Sequence, residues 1–392
     1  MTTPHAARRP LDGVLVADFS RVLAGPLATM FLADLGATVV KVERPGAGDD
    51  TRQWGPPWVG DTTTYFAGVN RGKRSVTLDL GQEADLALAR ELARRADVLV
   101  ENFLPGTLAR YGLDAESTRA ANPGLVYCSV TGFGSGPGAT RPGYDFVVQA
   151  VGGLMSITGD QEGEPVKAGV ALVDVLTGLH ATIGVLAALR DRDAHGRGQV
   201  VEVSLLSSLV ASLVNQASAV VNGAAVPGRM GNAHPSIAPY ETLRTADGPL
   251  AVAVGNDRQF AAMTQVLAVP LLAGDTRFAT NADRVANRPA LVGALEQALA
   301  TAGAGAWADR LQAVGVPCGR VEDIAGGIAL AEELELSPVV THDGPVPVRT
   351  LANPVRFSRT ELRHDRRPPS LGADSEEVRR WLTAAEPAPL GP

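Results

Sequence analysis

Cysteine, aromatic residues and long apolar runs are all scarce in this chain, and each shortage removes a class of protein. Two cysteines in 392 residues, Cys128 and Cys318, leave no disulfide framework and no metal site built on cysteine pairs. No run reaches the ~18 uninterrupted apolar residues of a membrane span, so no membrane association is expected. The opening MTTPHAARRPLDG has basic residues but no apolar stretch behind them, so no signal peptide is expected and a cytoplasmic location follows. Positive charge is not in excess either. A net charge of −7 supplies no basic face for nucleic acid, although local arginines still suit a small phosphate-bearing ligand.

Glycine (43) and proline (27) are plentiful, which implies many tight turns. At 45% hydrophobic and 20% charged the composition is that of an ordinary globular protein, and the length calls for two domains or one elaborate one.

The first third alternates between strand and helix patterns. GVLVADFS (13–20) is a short β-branched run, GPLATMFLADLG (25–36) has helical spacing, and ATVVKVERPG (37–46) is a second strand ending in a turn. KRSVTLDL (73–80), a helix over 83–96, DVLVENF (97–103) and GLVYCSVTGFG (124–134) continue the pattern. Strand, helix, strand in succession predicts a doubly wound, Rossmann-like α/β core with a parallel sheet, which binds ligands at the carboxyl ends of its strands. No G-x-G-x-x-G follows the first strand, where FSRVLAGP stands instead, so a dinucleotide fingerprint is missing. GFGSGPG (132–138) lacks the Lys-Ser/Thr ending of a P-loop.

Long apolar helices are expected from Asp174 to Arg190 and from Val200 to Val221, buried or at a subunit interface. Beyond Asn222 the chain is turn-rich, with a hairpin pattern around Asp247-Gly248 and helical patterns over 258–268, 287–302 and 305–313. The predicted organisation is a large domain beginning with 1–224, a smaller α+β domain over 225–330, and a return of 331–392 to the large domain.

One acid stands out. Asp174 opens the apolar run DVLTGLHATIGVLAAL, where an acid is a favourable helix cap or first-turn residue, or else the group that does the chemistry. His180 lies six residues on, too far round a helix to serve Asp174 as a base, and reads as a packing residue. Cys128 and Cys318 read as small buried hydrophobes.

Taken together, RVLAGPLATMFLADLGATVVKVERPGAGDDTR, NRGKRSVTLDL, ADVLVENFLPGTLARYGL, YCSVTGFGSGPGATRPGYDFVVQA and DVLTGLHATIGVLAAL resemble the family III CoA-transferases. That group includes formyl-CoA and carnitine CoA-transferases, with the α-methylacyl-CoA racemases as relatives. GNAHPSIAPYETLRTADGPLAVAVGNDRQF is similar to the branch of succinate–hydroxymethylglutarate CoA-transferase. The resemblance implies an interlocked homodimer that moves CoA from an acyl-CoA, such as succinyl-CoA, to a small (di)carboxylic acid. CoA is then a substrate, and neither a metal nor a further cofactor is implied.

The resemblance also implies roles for residues. Asp174 is the nucleophile, forming an aspartyl anhydride and then an aspartyl-CoA thioester. Its helix N-terminus would supply N–H donors for the oxyanion. Arg44, Leu78, Asn102, Phe103 and Arg110, with Arg74 as an addition, line the CoA site. Leu23, Ala24 and Tyr144 face the acyl group. Leu23 replaces the glutamine of formyl-CoA transferase, which disfavours formate and oxalate. Arg21, Arg52, Arg229 and His234 are candidates for the far carboxylate of a dicarboxylate, His234 being equally suited to a turn. Tyr144 occupies the place of the racemases' catalytic histidine, and a phenol is a poor proton acceptor at neutral pH. An acyl-CoA isomerase of the racemase type is the alternative, and a non-catalytic acyl-CoA-binding protein a third reading.

Overall fold

The computed structural model describes residues 9–385 and 388–391; the first eight residues, on which part of the signal-peptide reading rests, lie outside them. The chain divides into two compact units. The larger holds 1–154, 168–224 and 336–392; the smaller holds 155–167 and 225–335.

The larger unit is built on six parallel strands, β1 (Leu15–Asp18), β2 (Thr38–Glu43), β3 (Lys73–Thr77), β4 (Val98–Glu101), β5 (Val126–Thr131) and β6 (Val200–Ser204). Their order across the sheet is β3-β2-β1-β4-β5-β6. The order reverses between β1 and β4, so a crevice opens where the loops after these two strands part. Alternate side chains of each strand feed opposite layers. Val16, Val39, Val98, Val100 and Val126 pack on α1 (Ala24–Asp34) and α6 (Leu172–His195), while Ala17, Val40, Val76 and Leu99 pack on α3 (Glu83–Arg95).

By length and composition α6 is apolar enough to cross a bilayer, and half of that stretch is buried in the fold. Val173, Ala181, Val185 and Leu189 form its core face. Its early turns meet α1 at Gly178, where a Cβ would stand 2.7 Å from the Ala24 carbonyl oxygen. Only glycine lets the two helices approach this closely.

The expected long helix over 200–221 is not formed. VVEVS is instead the edge strand β6, and two short helices follow, α7 (Leu205–Ser212) and α8 (Val214–Val221). The alternation of β-branched residues around Glu202 suits a strand, and the Ser204 hydroxyl then caps α7 by accepting the Ser207 N–H at 3.1 Å. Val214, at φ 35°, breaks the helical run.

In the smaller unit the expected hairpin is present. β7 (Tyr240–Arg244) and β8 (Pro249–Ala253) pair antiparallel, and β9 (Cys318–Arg320) joins the far side of β8. Leu243, Leu250, Val252, Phe260, Leu295 and Trp307 are among its core residues.

Candidate active site

The loop leaving β1 is fixed by buried charge. Asp18 accepts hydrogen bonds from the Ser20 N–H (3.0 Å), the Thr29 hydroxyl (2.7 Å) and the Lys73 ammonium (3.0 Å). Burial works against its ionisation, but Lys73 and Lys41 prevail and hold Asp18 down at about 2. The same burial pushes Lys73 down to about 8 despite Asp18. Lys41 pairs with Asp49 at 2.9 Å, and Asp49 in turn accepts the Val22 N–H at 3.3 Å. Val22 sits at φ 69°, a strained state for a β-branched residue that the surrounding bonds enforce. From the β4 side, Asn102 clamps Arg21, accepting its N–H at 2.8 Å and donating to its carbonyl at 2.7 Å.

This strained turn presents the N-terminus of α1. No side chain caps α1 and no acid lies in its first turn. Facing it across a cavity of about 210 Å³ is Asp174, in the first turn of α6. Leu23, Ala24, Asn102, Phe103, Tyr144 and the glycine-rich turn after β5 line the same space. The turn is close-packed: a Cβ on Gly132 would stand 2.7 Å from the Gly143 Cα.

Asp174 does not cap its helix. Asp145, at the start of α5 (Asp145–Val151), accepts the N–H groups of Val173 at 2.7 Å and Asp174 at 3.2 Å. Gln149 donates to the other Asp145 oxygen at 2.5 Å and receives the Ala168 N–H at 2.8 Å. The expectation that α6 would lend N–H donors to an oxyanion is therefore corrected: Asp145 has taken them. Burial, and then the Asp145 charge, push the Asp174 carboxyl up to about 7.

A second cavity, about 590 Å³, lies along the ends of β2, β3 and β4. Arg44, Leu78, Phe103 and Arg110 line it, and Arg21 and Phe103 border both cavities. Arg21 lies over the Phe103 ring at 4.9 Å, and Asp50 pairs with both Arg21 (3.4 Å) and Arg44 (2.8 Å). Such a chamber, with arginines at its rim and an apolar floor, suits a nucleotide whose thioester arm reaches the first cavity.

The description CoA-transferase family III matches residues 11–375 of the chain. The chain belongs to this family. Among relatives, it is 41% identical to the succinate–glutarate CoA-transferase of Agrobacterium fabrum, spanning 98% of this chain and 99% of that one. It is 41% identical to the succinyl-CoA:glutarate CoA-transferase of Mus musculus (94% and 86%) and 40% identical to the acetyl-CoA:oxalate CoA-transferase of Acetobacter aceti (98% and 99%). A solved CAIB/BAIF family protein from Brucella suis is 44% identical, with a TM-score of 0.87 over 96% of this chain and 100% of that one. The protein is thus a CoA-transferase.

Within this family III enzyme, the sequence-derived residues divide. Asp174, Leu23, Ala24, Tyr144, Asn102 and Phe103 meet in one cavity, and Arg44, Leu78, Phe103 and Arg110 in the other. Arg74 lines neither. It is buried and bonded to Asp374 (3.3 Å), Glu377 (2.8 Å) and the Gly391 carbonyl (3.0 Å), away from both cavities. Asn102 spends its amide on the Arg21 backbone, so it shapes the site through Arg21.

Arg52 is locked on Glu43 at 2.7 Å. In the smaller unit, Arg229 donates to the carbonyls of Asp160 (3.1 Å) and Gly163 (2.8 Å). His234 there receives the Ser236 N–H at 3.1 Å and packs on Tyr240, the arrangement of a turn residue. Burial pushes the Cys128 thiol up to about 12, so it offers no thiolate.

Three features escaped the sequence. Asp145 as the cap of another helix had no local signal beyond an acid opening a helical run. Tyr65, on α2 (Thr64–Asn70), has its phenol pushed up to about 12 by burial and then by Asp174 and Asp145, so it stays neutral within their field. Arg141 borders the Asp174 cavity and was legible only as a surface charge before a Pro-Gly turn.

Proposed function

We propose that the enzyme moves CoA from succinyl-CoA or another dicarboxylyl-CoA to a small carboxylic acid, with Asp174 as the nucleophile. The observation that carries this is the half-buried Asp174 carboxylate, freed from capping by Asp145 and set opposite the uncapped N-terminus of α1. A carboxylate with a raised pKa is more basic and hence a stronger nucleophile once ionised.

The cycle balances without water. An Asp174 oxygen attacks the donor's thioester carbon; the C–S bond breaks, CoA leaves as thiolate and a mixed anhydride remains. The thiolate attacks the aspartyl carbonyl, expelling the donor acid and leaving an aspartyl-CoA thioester. The acceptor carboxylate attacks that carbonyl, releasing thiolate and forming a new anhydride. Attack of thiolate on the acceptor's carbonyl gives the product and regenerates Asp174. Each tetrahedral adduct carries an oxyanion, and the N–H of Ala24 at the start of α1 is the donor suited to it.

The relatives' names point to both glutarate and oxalate at similar identity. Leu23 therefore does not by itself exclude oxalate, and acceptor length is decided by assaying a panel of acids with succinyl-CoA as donor. The apolar residues that α8 leaves exposed, Val214 and Val221 among them, support a dimer, which sedimentation at low micromolar concentration tests.

The covalent path is tested by incubating the enzyme with acyl-CoA alone and adding hydroxylamine or borohydride. Modification of Asp174 within AGVALVDVLTGLH is expected. A label on Asp145, or none during normal transfer, overturns the reading. Deuterium uptake at the α-carbon without any acceptor acid would favour the isomerase instead.

A further inference from the structure

The cavity around Asp174 is bordered by two arginines, and they differ in one respect. Arg21 is committed, paired with Asp50 at 3.4 Å and stacked on Phe103. Arg141 has no carboxylate partner among the described residues; its guanidinium only lies 6.0 Å from the centre of the Phe133 ring. We propose that Arg141 receives the far carboxylate of a dicarboxylic acid whose near carboxylate reacts at Asp174, and so sets the preference for dicarboxylates. This rests on the CoA-transfer reading above.

Electrostatics requires such a group. The cavity already holds the carboxylates of Asp174 and Asp50, with Asp145 directly behind Asp174. A second carboxylate on the substrate would be repelled by these groups unless a cation is free to take it. Arg52 is occupied by Glu43 and Arg229 by two carbonyls of the smaller unit, and His234 of that unit receives the Ser236 N–H.

The backbone under Arg141 is held by hydrogen bonds within its turn. Its N–H donates to the Gly138 carbonyl at 3.0 Å, and the Ala139 N–H donates to Gly136 at 3.0 Å. Gly138 is pressed on Phe133, where a Cβ would stand 2.2 Å from the carbonyl oxygen, and Gly143 is pressed on Gly132. A charged fork on a rigid turn can reward one placement of a carboxylate, by two parallel hydrogen bonds.

The test compares glutarate with its monomethyl ester as acceptors, with succinyl-CoA as donor throughout. The ester keeps the length and shape but lacks the far charge. The wild-type enzyme is expected to favour glutarate, and Arg141→Gln to reduce the ratio of the two kcat/KM values at least tenfold, or about 1.4 kcal/mol, chiefly through the KM for glutarate. Arg141→Lys, which keeps charge without the fork, should fall between. A ratio unchanged within twofold in Arg141→Gln, with the variant folded by circular dichroism, overturns the inference and leaves the CoA-transfer reading standing. A wild-type enzyme that transfers CoA to no acid overturns both.

Discussion

Asp145 accepts the backbone N–H of Asp174 at 3.2 Å and that of Val173 at 2.7 Å, so one acid caps the helix and the other is released from doing so. The pairing has an electrostatic consequence. A helix N-terminus ordinarily favours an ionised carboxylate, but here a buried negative charge occupies it. Burial first, and Asp145 second, push Asp174 up to about 7.

Activity should therefore depend on pH with an acid limb near 7. Below that value Asp174 holds its proton and the neutral acid is a far weaker nucleophile than the carboxylate, so kcat/KM should fall about tenfold per pH unit. Asp145→Asn removes the second cause and leaves burial in place. Its limb should move to lower pH without reaching the ordinary carboxylate range, and because the new amide nitrogen would face the Gln149 amide donor the change should cost about 1 kcal/mol of stability. Rate profiles between pH 5 and 9 check both; an unmoved limb would separate Asp174 from the titration.

Asp174→Asn should abolish transfer yet stabilise the fold at pH 8. The sign follows from linkage. With its folded pKa raised, Asp174 holds a proton that the unfolded chain has lost, so native stability declines as pH rises from about 4 to 7. The neutral amide escapes that penalty, by about 1–2 kcal/mol, since the cavity is open to solvent and moderates the full effect. Denaturant melts at pH 4 and pH 8 should show the gain at the higher pH and little of it at the lower.

Much of this site was legible because strand ends in a parallel sheet are legible. Asp18, Glu43 and Glu101 close β-branched runs, and the loops after them carry Leu23, Ala24, Arg44, Asn102 and Phe103 into the cavities. What could not be read was the destination of a side chain across the fold. Arg74 is followed by Ser75 in a strand that looks ligand-facing, yet its partners Asp374 and Glu377 are some 300 residues away in sequence. The segment 200–221 misled for a different reason. Short apolar runs fit strand and helix alike, and only the sheet edge beside β5 decides that Val200–Ser204 is a strand.

Arg110 and Arg74 should behave oppositely. Arg110→Ala, at the rim of the larger cavity, should raise the KM for acyl-CoA about tenfold with little change in melting temperature. Arg74→Ala leaves Asp374 buried without one of its cations and should cost about 3 kcal/mol. Its KM should stay near that of the wild type. Equal effects on KM would restore Arg74 to the CoA site.

Gly178 offers the sharpest test of how the fold positions Asp174. It lies one helical turn beyond Asp174, and a Cβ there would stand 2.7 Å from the Ala24 carbonyl and 3.3 Å from the Leu27 Cβ. The first of these is backbone, at the uncapped start of α1, and cannot rotate away. Gly178→Ala must therefore push α6 from α1 and widen the gap between Asp174 and the Ala24 N–H. Displacement of a reacting group by about 1 Å can cost on the order of 100-fold in rate, so kcat should fall 10- to 100-fold. The KM for acyl-CoA should change little, because no residue of α6 lines the larger cavity. Alanine's better helix propensity, about 1 kcal/mol, offsets part of the overpacking cost and keeps the variant folded. Gly184→Ala supplies the control on the same helix: its Cβ would meet the Val201 Cγ1 at 2.6 Å, a side-chain methyl at the sheet edge that does not border the Asp174 cavity. It should lower stability and leave kcat near normal. A kcat for Gly178→Ala equal to that of Gly184→Ala would mean that the spacing of α1 and α6 does not set the chemistry.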